Sequence, residues 1–235
     1  MVDVRTNLEQ VLKRIEEAER QYNRPPGSVR LVAVSKTKPI QLISEAIDAG
    51  QQIFGENYVQ EAVDKITQIN NQKSNDNLQW HFIGPIQSNK TKLIAENFLW
   101  VHGVERAKIA QRLSEQRPAD LPALNICIQV NVSEESSKAG VSISELSELV
   151  QSIVPLTRIR LRGFMAIPGR ESDFQKQRKP FKLLKDTMRE MNQQFSLSMD
   201  TLSMGMSNDL EAAIAEGATF VRVGTDIFGA REYKE

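Results

Sequence analysis

The sequence has a single cysteine, no long apolar run and no excess of either charge. Cys127 cannot form an intrachain disulfide, which is typical of a protein in a reducing compartment. Its position in the apolar run 125–132 predicts a buried side chain. No run approaches the roughly 18 apolar residues of a membrane span, and the N-terminus lacks a signal-peptide core, so we expect a cytoplasmic protein without a membrane partner. Because 30 basic residues balance 30 acidic ones, no overall field favours nucleic acid.

Histidine is almost as scarce as cysteine. The two histidines, His81 and His102, lie in the strand-like runs WHFIG and WVHGV, which favours packed or hydrogen-bonded core histidines. Two separated histidines and one cysteine do not make a ligand set, so no metal site is predicted.

Short apolar runs alternate with helical patterns along the whole sequence. A helix at about 3–22 comes first and ends at NRPPGS. Eight strands are then predicted, at 29–36, 52–57, 78–84, 99–105, 124–132, 159–167, 200–204 and 220–228. Eight strand–helix units in 235 residues favour an α/β fold of the closed (β/α)₈ TIM-barrel type, one domain over 1–235 with its barrel at about 29–232. An open sheet is the alternative, but SKTKP is not the glycine-rich turn it requires.

A lysine ends the first strand. Lys36 closes the run 29–36, and Pro39 suits the first position of a following helix. Ligands of parallel α/β proteins bind at this edge, where a partly desolvated lysine can form a Schiff base with an aldehyde. The alternative is an ordinary solvated charge.

The loops after the seventh and eighth strands have the features of a phosphate site. Gly205 frees the backbone before a helix predicted from Ser207 to Gly217, and Gly224 with Thr225 offers N–H groups and a hydroxyl. A helix cap and a packing glycine are the alternatives. Arg222 shares a strand face with Gly224, so a guanidinium inside the barrel needs a partner, unless the register differs and Arg222 lies on the surface.

At this point longer segments carry a resemblance. VAVSKTKP, FGENYVQEAVDKI, WHFIGPIQSNK, RGFMAIP and LSMGMSNDLEAAIAEGATFVRVGTDIFGARE resemble the pyridoxal 5′-phosphate (PLP) homeostasis protein family. That family is related by fold to the barrel domain of alanine racemase, the fold-type III PLP-binding barrel. The resemblance covers about residues 29–232, and Phe164 in place of an expected leucine is its one noted departure.

The resemblance implies a cofactor site, and no catalytic residue is predicted. Its cofactor-binding residues would be Lys36, Asn57, Met165, Ser207, Arg222, Gly224 and Thr225. Lys36 would form the Schiff base, Arg222 would face the pyridine nitrogen, Asn57 and Met165 would line the ring, and the other three would hold the phosphate.

Binding is favoured over catalysis. A permanently cationic Arg222 disfavours protonation of the pyridine, which weakens the cofactor as an electron sink. Racemases resembling this barrel take a second acid/base, a tyrosine, from a further β-domain, and this sequence ends at Glu235 just after the eighth strand. We expect a monomer that buffers PLP or delivers it to PLP-dependent apo-enzymes, with Lys138 in the polar segment 133–140 as a hypothetical relay.

Two enzyme classes remain as alternatives to this carrier. The first is a PLP-dependent amino-acid racemase. The second is a Schiff-base aldolase that acts on a sugar phosphate without a cofactor, using the same lysine and phosphate cradle.

Overall fold

Eight parallel strands form a closed barrel in chain order, and helices surround it. The structure is a computed structural model, and it describes residues 2–72, 77–133 and 139–230. The strands are β1 Arg30–Val34, β2 Ile53–Glu56, β3 Gln79–Phe82, β4 Trp100–Val104, β5 Leu124–Gln129, β6 Ile159–Met165, β7 Thr201–Ser203 and β8 Phe220–Val223. The helices are α1 Val4–Gln21, α2 Ile40–Asp48, α3 Val59–Gln72, α4 Thr91–Asn97, α5 Ala107–Gln116, α6 Ile143–Ile153, α7 Phe174–Phe195, α8 Leu210–Ala215 and α9 Thr225–Phe228, with a 3₁₀ turn at Ser88–Lys90. The predicted (β/α)₈ barrel is confirmed.

The barrel closes where its first and last strands pair. Val32 of β1 lies opposite Arg222 of β8 in a parallel ladder. Parallel strands that are buried on both faces have nearly continuous apolar sequences. The short apolar runs of the sequence therefore predict these strands. Helix α1 precedes β1 and packs against α8 and α9, so it covers the barrel beside the closing strands.

The core has two layers. The larger layer lies between the strands and the surrounding helices and includes Phe164 and Phe54. The smaller layer groups residues of five different strands: Val32, Trp100, Cys127, Met165 and Phe220. Because side chains alternate along a strand, this second cluster fills the barrel interior. The prediction of a buried cysteine is confirmed, and burial raises the pKa of the Cys127 thiol to about 12.

Several predicted strand ends are wrong. The strand predicted at 220–228 stops at Val223, because Gly224 (φ −123°, ψ −64°) turns the chain into α9, whose Ile227 and Phe228 are buried. The strands predicted to reach 132 and 167 end at Gln129 and Met165. An apolar run indicates that residues are buried but does not show whether they form a strand or a helical turn. A buried helical turn that follows a strand therefore reads as a continuation of the strand. None of the helices in the described parts of the chain is long and apolar enough to cross a membrane.

Candidate functional site

Two lysines, Lys36 and Lys38, follow β1 and differ in their positions and contacts. Lys36 is half-buried two residues beyond the strand, and the next residue, Thr37, has a left-handed backbone (φ +61°). Lys38 Nζ donates to the carbonyl oxygens of Gly229 (2.8 Å) and Ala230 (2.6 Å), just beyond α9. Lys38 therefore contacts the end of α9, and Lys36 lies two residues beyond Val34, the last residue of β1.

Arg222 places a cation inside the barrel. Only 4% of its surface is exposed, so the alternative of a surface arginine is wrong. Nη1 donates to Ser203 Oγ (2.8 Å) and Nη2 to the carbonyl of Ala166 (3.0 Å), and no carboxylate of the described residues lies within ion-pair distance. Burial lowers the pKa of Arg222 to about 10, so it remains a cation at neutral pH. A buried cation with only neutral partners suits a ligand acceptor.

The two histidines extend this network across the barrel interior. His102 Nδ1 lies 2.7 Å from Ser203 Oγ, and His102 Nε2 lies 2.9 Å from His81 Nδ1. Since the guanidinium only donates, Ser203 accepts from Arg222 and can donate its own proton to His102. Burial lowers the pKa of His102 to about 3 and that of His81 well below its ordinary value. The predicted core histidines are confirmed, and both are neutral.

The loops after β7 and β8 lie side by side. Arg222 N–H donates to the carbonyl of Gly205, whose backbone is left-handed (φ +93°). The N–H groups of Ser207, Gly224 and Thr225 have no protein acceptor within the described residues. Ser207 is half-buried and Thr225 is exposed. Unpaired N–H groups on two adjacent loops fit an anion such as a phosphate.

The helix predicted to start at Ser207 starts later. Helix α8 begins at Leu210 with Asp209 at its N-cap, so Ser207 is not a helix cap. The Asp209 carboxylate accepts from Met206 N–H (2.6 Å), which closes a turn before the helix. Ser207 therefore lies in a turn between β7 and α8.

Arg14 of α1 joins the two loops, and sequence reasoning missed it. Its guanidinium donates to the carbonyl of Ser207 (2.9 Å), to Glu211 Oε1 (3.0 Å) and to Asp226 Oδ2 (3.0 Å). Glu211 belongs to α8 and Asp226 to α9, so one side chain holds both loop–helix junctions. Because Arg14 is about 200 residues from its partners in the sequence, no local pattern indicates this role.

Asn57 and Met165 complete the predicted set. Asn57 follows β2, and its Oδ1 is buried without a hydrogen-bond partner in the described chain. The backbone of Gly84 lies so close to Asn57 that a methyl group at Gly84 would overlap it. Met165 ends β6 and is fully buried in the smaller core layer, inside the barrel. The unpaired acceptor of Asn57 and the apolar side chain of Met165 fit a ligand that has a hydrogen-bond donor and an aromatic ring.

The predicted residues belong to one continuous part of the barrel and lie near or beyond the carboxyl ends of its strands. They come from, or directly follow, β6, β7, β8, β1 and β2, which are consecutive around the barrel. Lys138, the hypothetical relay, lies outside the described residues. Within the ranges that the structure describes, no group of three or more His, Cys, Asp or Glu side chains could hold a metal ion.

Comparison with known proteins defines the class first. The family described as "Alanine racemase, N-terminal domain" matches residues 6–232. An alanine racemase from Corynebacterium glutamicum, 14% identical, superimposes with a TM-score of 0.66 over 96% of this chain and 62% of the racemase, a likeness that shows the fold alone.

More similar proteins narrow the class. The "Pyridoxal phosphate homeostasis protein" of Escherichia coli (strain K12) is 50% identical over 100% of both chains. The structure of PipY from Synechococcus elongatus PCC7942 with PLP bound is 35% identical, with a TM-score of 0.80 over 92% of this chain and 100% of PipY. The chain belongs to the family of pyridoxal phosphate homeostasis proteins.

Proposed function

We propose that this protein binds PLP covalently and reversibly at Lys36 and that it buffers the cofactor or delivers it to PLP-dependent apo-enzymes. The observation that carries the proposal is Arg222, a buried guanidinium with only neutral partners among the described residues, on the strand adjacent to the one that Lys36 follows. Two comparisons support the choice of ligand: the name of the Escherichia coli relative of this protein, and the PLP bound to PipY.

Each residue of the site has a role in this proposal. Ser207, Gly224 and Thr225 bind the phosphate, Arg222 donates to the pyridine nitrogen, and Asn57 with Met165 contacts the ring. The cofactor supplies an aldehyde, which condenses with the amine of Lys36 and releases water. Arg14 keeps the two phosphate loops together, although it does not touch the ligand in this proposal.

We propose binding rather than turnover. A cation at the pyridine nitrogen disfavours its protonation, so the ring withdraws electrons weakly from an attached amino acid. The neutral histidines do not supply an acid, because burial holds their pKa values far below neutrality. The protein then acts as a single barrel domain and as a monomer in the cytoplasm.

The experiment separates carrier from enzyme. PLP-loaded protein is incubated with a panel of L- and D-amino acids, and in parallel with an apo-enzyme that needs PLP. We expect no racemisation or other turnover, and recovery of activity in the apo-enzyme. Turnover of an amino acid would contradict the carrier and favour the racemase-like alternative.

The aldolase alternative has its own test. Cofactor-free protein is incubated with sugar phosphates, and borohydride is added to trap any imine. We expect no adduct. A sugar-phosphate adduct at Lys36, without visible absorbance, would favour the aldolase.

A further inference from the structure

Three charged residues beside β1 have no role in the site described so far. Glu56 ends β2, and Glu61 and Lys65 lie one turn apart on α3. Lys65 Nζ is 2.9 Å from Glu56 Oε1 and 2.5 Å from Glu61 Oε1. We refer to Glu56, Glu61 and Lys65 as the Lys65 cluster.

The Lys65 cluster holds the residue before Lys36. Lys65 Nζ donates its third hydrogen bond to the carbonyl of Ser35 (2.8 Å), and the Ser35 hydroxyl donates to Glu56 Oε1 (2.6 Å). Ser35 is fully buried, so both its carbonyl and its hydroxyl need such partners.

The same cluster holds the residue after Lys36. Glu61 Oε1 accepts the N–H of Thr37 (2.6 Å), whose φ is +61°. A β-branched residue disfavours this left-handed backbone, so an outside contact must hold it there. The carboxylate of Glu61 is that contact, and it is itself fixed by Lys65.

The arrangement is more specific than closure of the barrel requires. The ladder between β1 and β2 is made by the strands themselves. Lys65 is nevertheless almost completely buried, and each of the three donors of its ammonium group has an acceptor. A buried cation that bonds to the backbone at one chosen turn fixes the geometry of that turn.

We propose that the Lys65 cluster positions Lys36 for attack on the aldehyde of the cofactor. The inference rests on the proposed function, since it concerns how the amine of Lys36 is presented. In the reaction, the neutral amine of Lys36 forms a C=N double bond to the aldehyde carbon, and its two hydrogens leave with the aldehyde oxygen as one molecule of water. Lys65 and Glu61 are positioning residues, because they bond to the backbone on either side of Lys36. Glu56 supports them by accepting from Lys65 and from the Ser35 hydroxyl.

The test compares two buried or half-buried carboxylates that bind the backbone near β1. Glu61→Ala removes the contact with Thr37, and Glu61→Gln keeps an acceptor of the same length. Glu19→Ala is the matched control, since the Glu19 carboxylate accepts from Gly27 and Val29 N–H at the opposite end of β1. For each protein we measure the rate of Schiff-base formation with PLP by stopped-flow absorbance, the lysines labelled after borohydride reduction, and thermal unfolding.

We expect Glu61→Ala to slow Schiff-base formation roughly tenfold or more and to spread the label to other lysines, because small misplacements of a reacting group have large effects. Glu61→Gln should recover most of the parent rate. Glu19→Ala should unfold at a lower temperature yet react at the parent rate and only at Lys36.

Two results would overturn the inference. One is an unchanged rate and labelling pattern in Glu61→Ala. The other is equal slowing in Glu61→Ala and Glu19→Ala, which would show that lost stability alone explains the effect. If the parent protein itself gives no adduct with PLP, the proposed function fails instead.

Discussion

Replacing His102 by glutamine is expected to make the fold less sensitive to acid. In the folded protein, burial lowers the pKa of His102 to about 3. In the unfolded chain its pKa is about 6.5. Below pH 6.5 the histidine is therefore protonated in the unfolded chain and remains neutral in the folded protein. The free energy of unfolding then falls by about 1.4 kcal/mol for each pH unit.

The magnitude follows from the pH window. The stabilisation of the neutral histidine is fully present above about pH 6.5 and is lost as the pH falls towards about 3. At pH 4.5 this loss amounts to about 3 kcal/mol. Glutamine does not titrate in this range, and it can still bond to Ser203 or His81, although it loses ring contacts with Trp100 and Phe220.

The assay is urea unfolding at pH 7.5 and pH 4.5. At pH 7.5 we expect His102→Gln to be less stable than the parent by about 2 kcal/mol, through lost packing and imperfect hydrogen bonds. At pH 4.5 the difference should shrink or reverse. Trp100→Phe, which changes packing around the same ring without a titrating group, should be destabilised equally at both pH values. A parallel pH dependence of parent and His102→Gln would refute the reasoning.

Three further predictions concern the phosphate loops. Ser207→Ala combined with Thr225→Val should weaken PLP binding by about 1–3 kcal/mol in an absorbance titration, because two hydroxyl donors to a charged acceptor are lost. Pyridoxal, which lacks the phosphate, should bind weakly to the parent protein and equally weakly to the double variant. If the double change weakened pyridoxal and PLP binding equally, the phosphate would be bound elsewhere. Arg14→Ala should weaken PLP binding several-fold in the same titration and leave pyridoxal binding unchanged, because both loops lose their shared anchor. Gly205→Ala should lower stability by about 1–3 kcal/mol in thermal unfolding, because φ is +93° and the added methyl would lie 2.5 Å from Ala213 Cβ; an unchanged unfolding temperature would contradict it.

Local patterns in the sequence reach the fold and the candidate residues but not the contacts between them. The alternation of apolar runs and helical faces predicts eight strands, because each strand is buried on both faces. It misplaces the end of β8, since Ile227 and Phe228 are as apolar as the strand before them. Lys36, Gly205 and Gly224 are found because each lies at a strand end and shows a local signal, a lone lysine or a glycine in a loop.

The supporting residues are invisible to such reasoning. Arg14 meets Asp226 across 212 positions, and His102 meets Ser203 across 101. Such pairs depend on the register of the closed barrel, which the sequence pattern does not specify residue by residue. Strand alternation offers one usable signal: His102 and Arg222 both lie on inward faces once the register is known.

Labelling at Lys36 tests the central proposal most directly. Purified parent and Lys36→Ala proteins are mixed with PLP, their visible absorbance is recorded, borohydride is added, and the labelled peptides are identified by mass. We predict a visible Schiff-base band and a single label at Lys36 in the parent, and loss of both in Lys36→Ala with unchanged thermal unfolding, because the side chain adds no core volume. A label on Lys38, or an undiminished band in Lys36→Ala, would contradict the account.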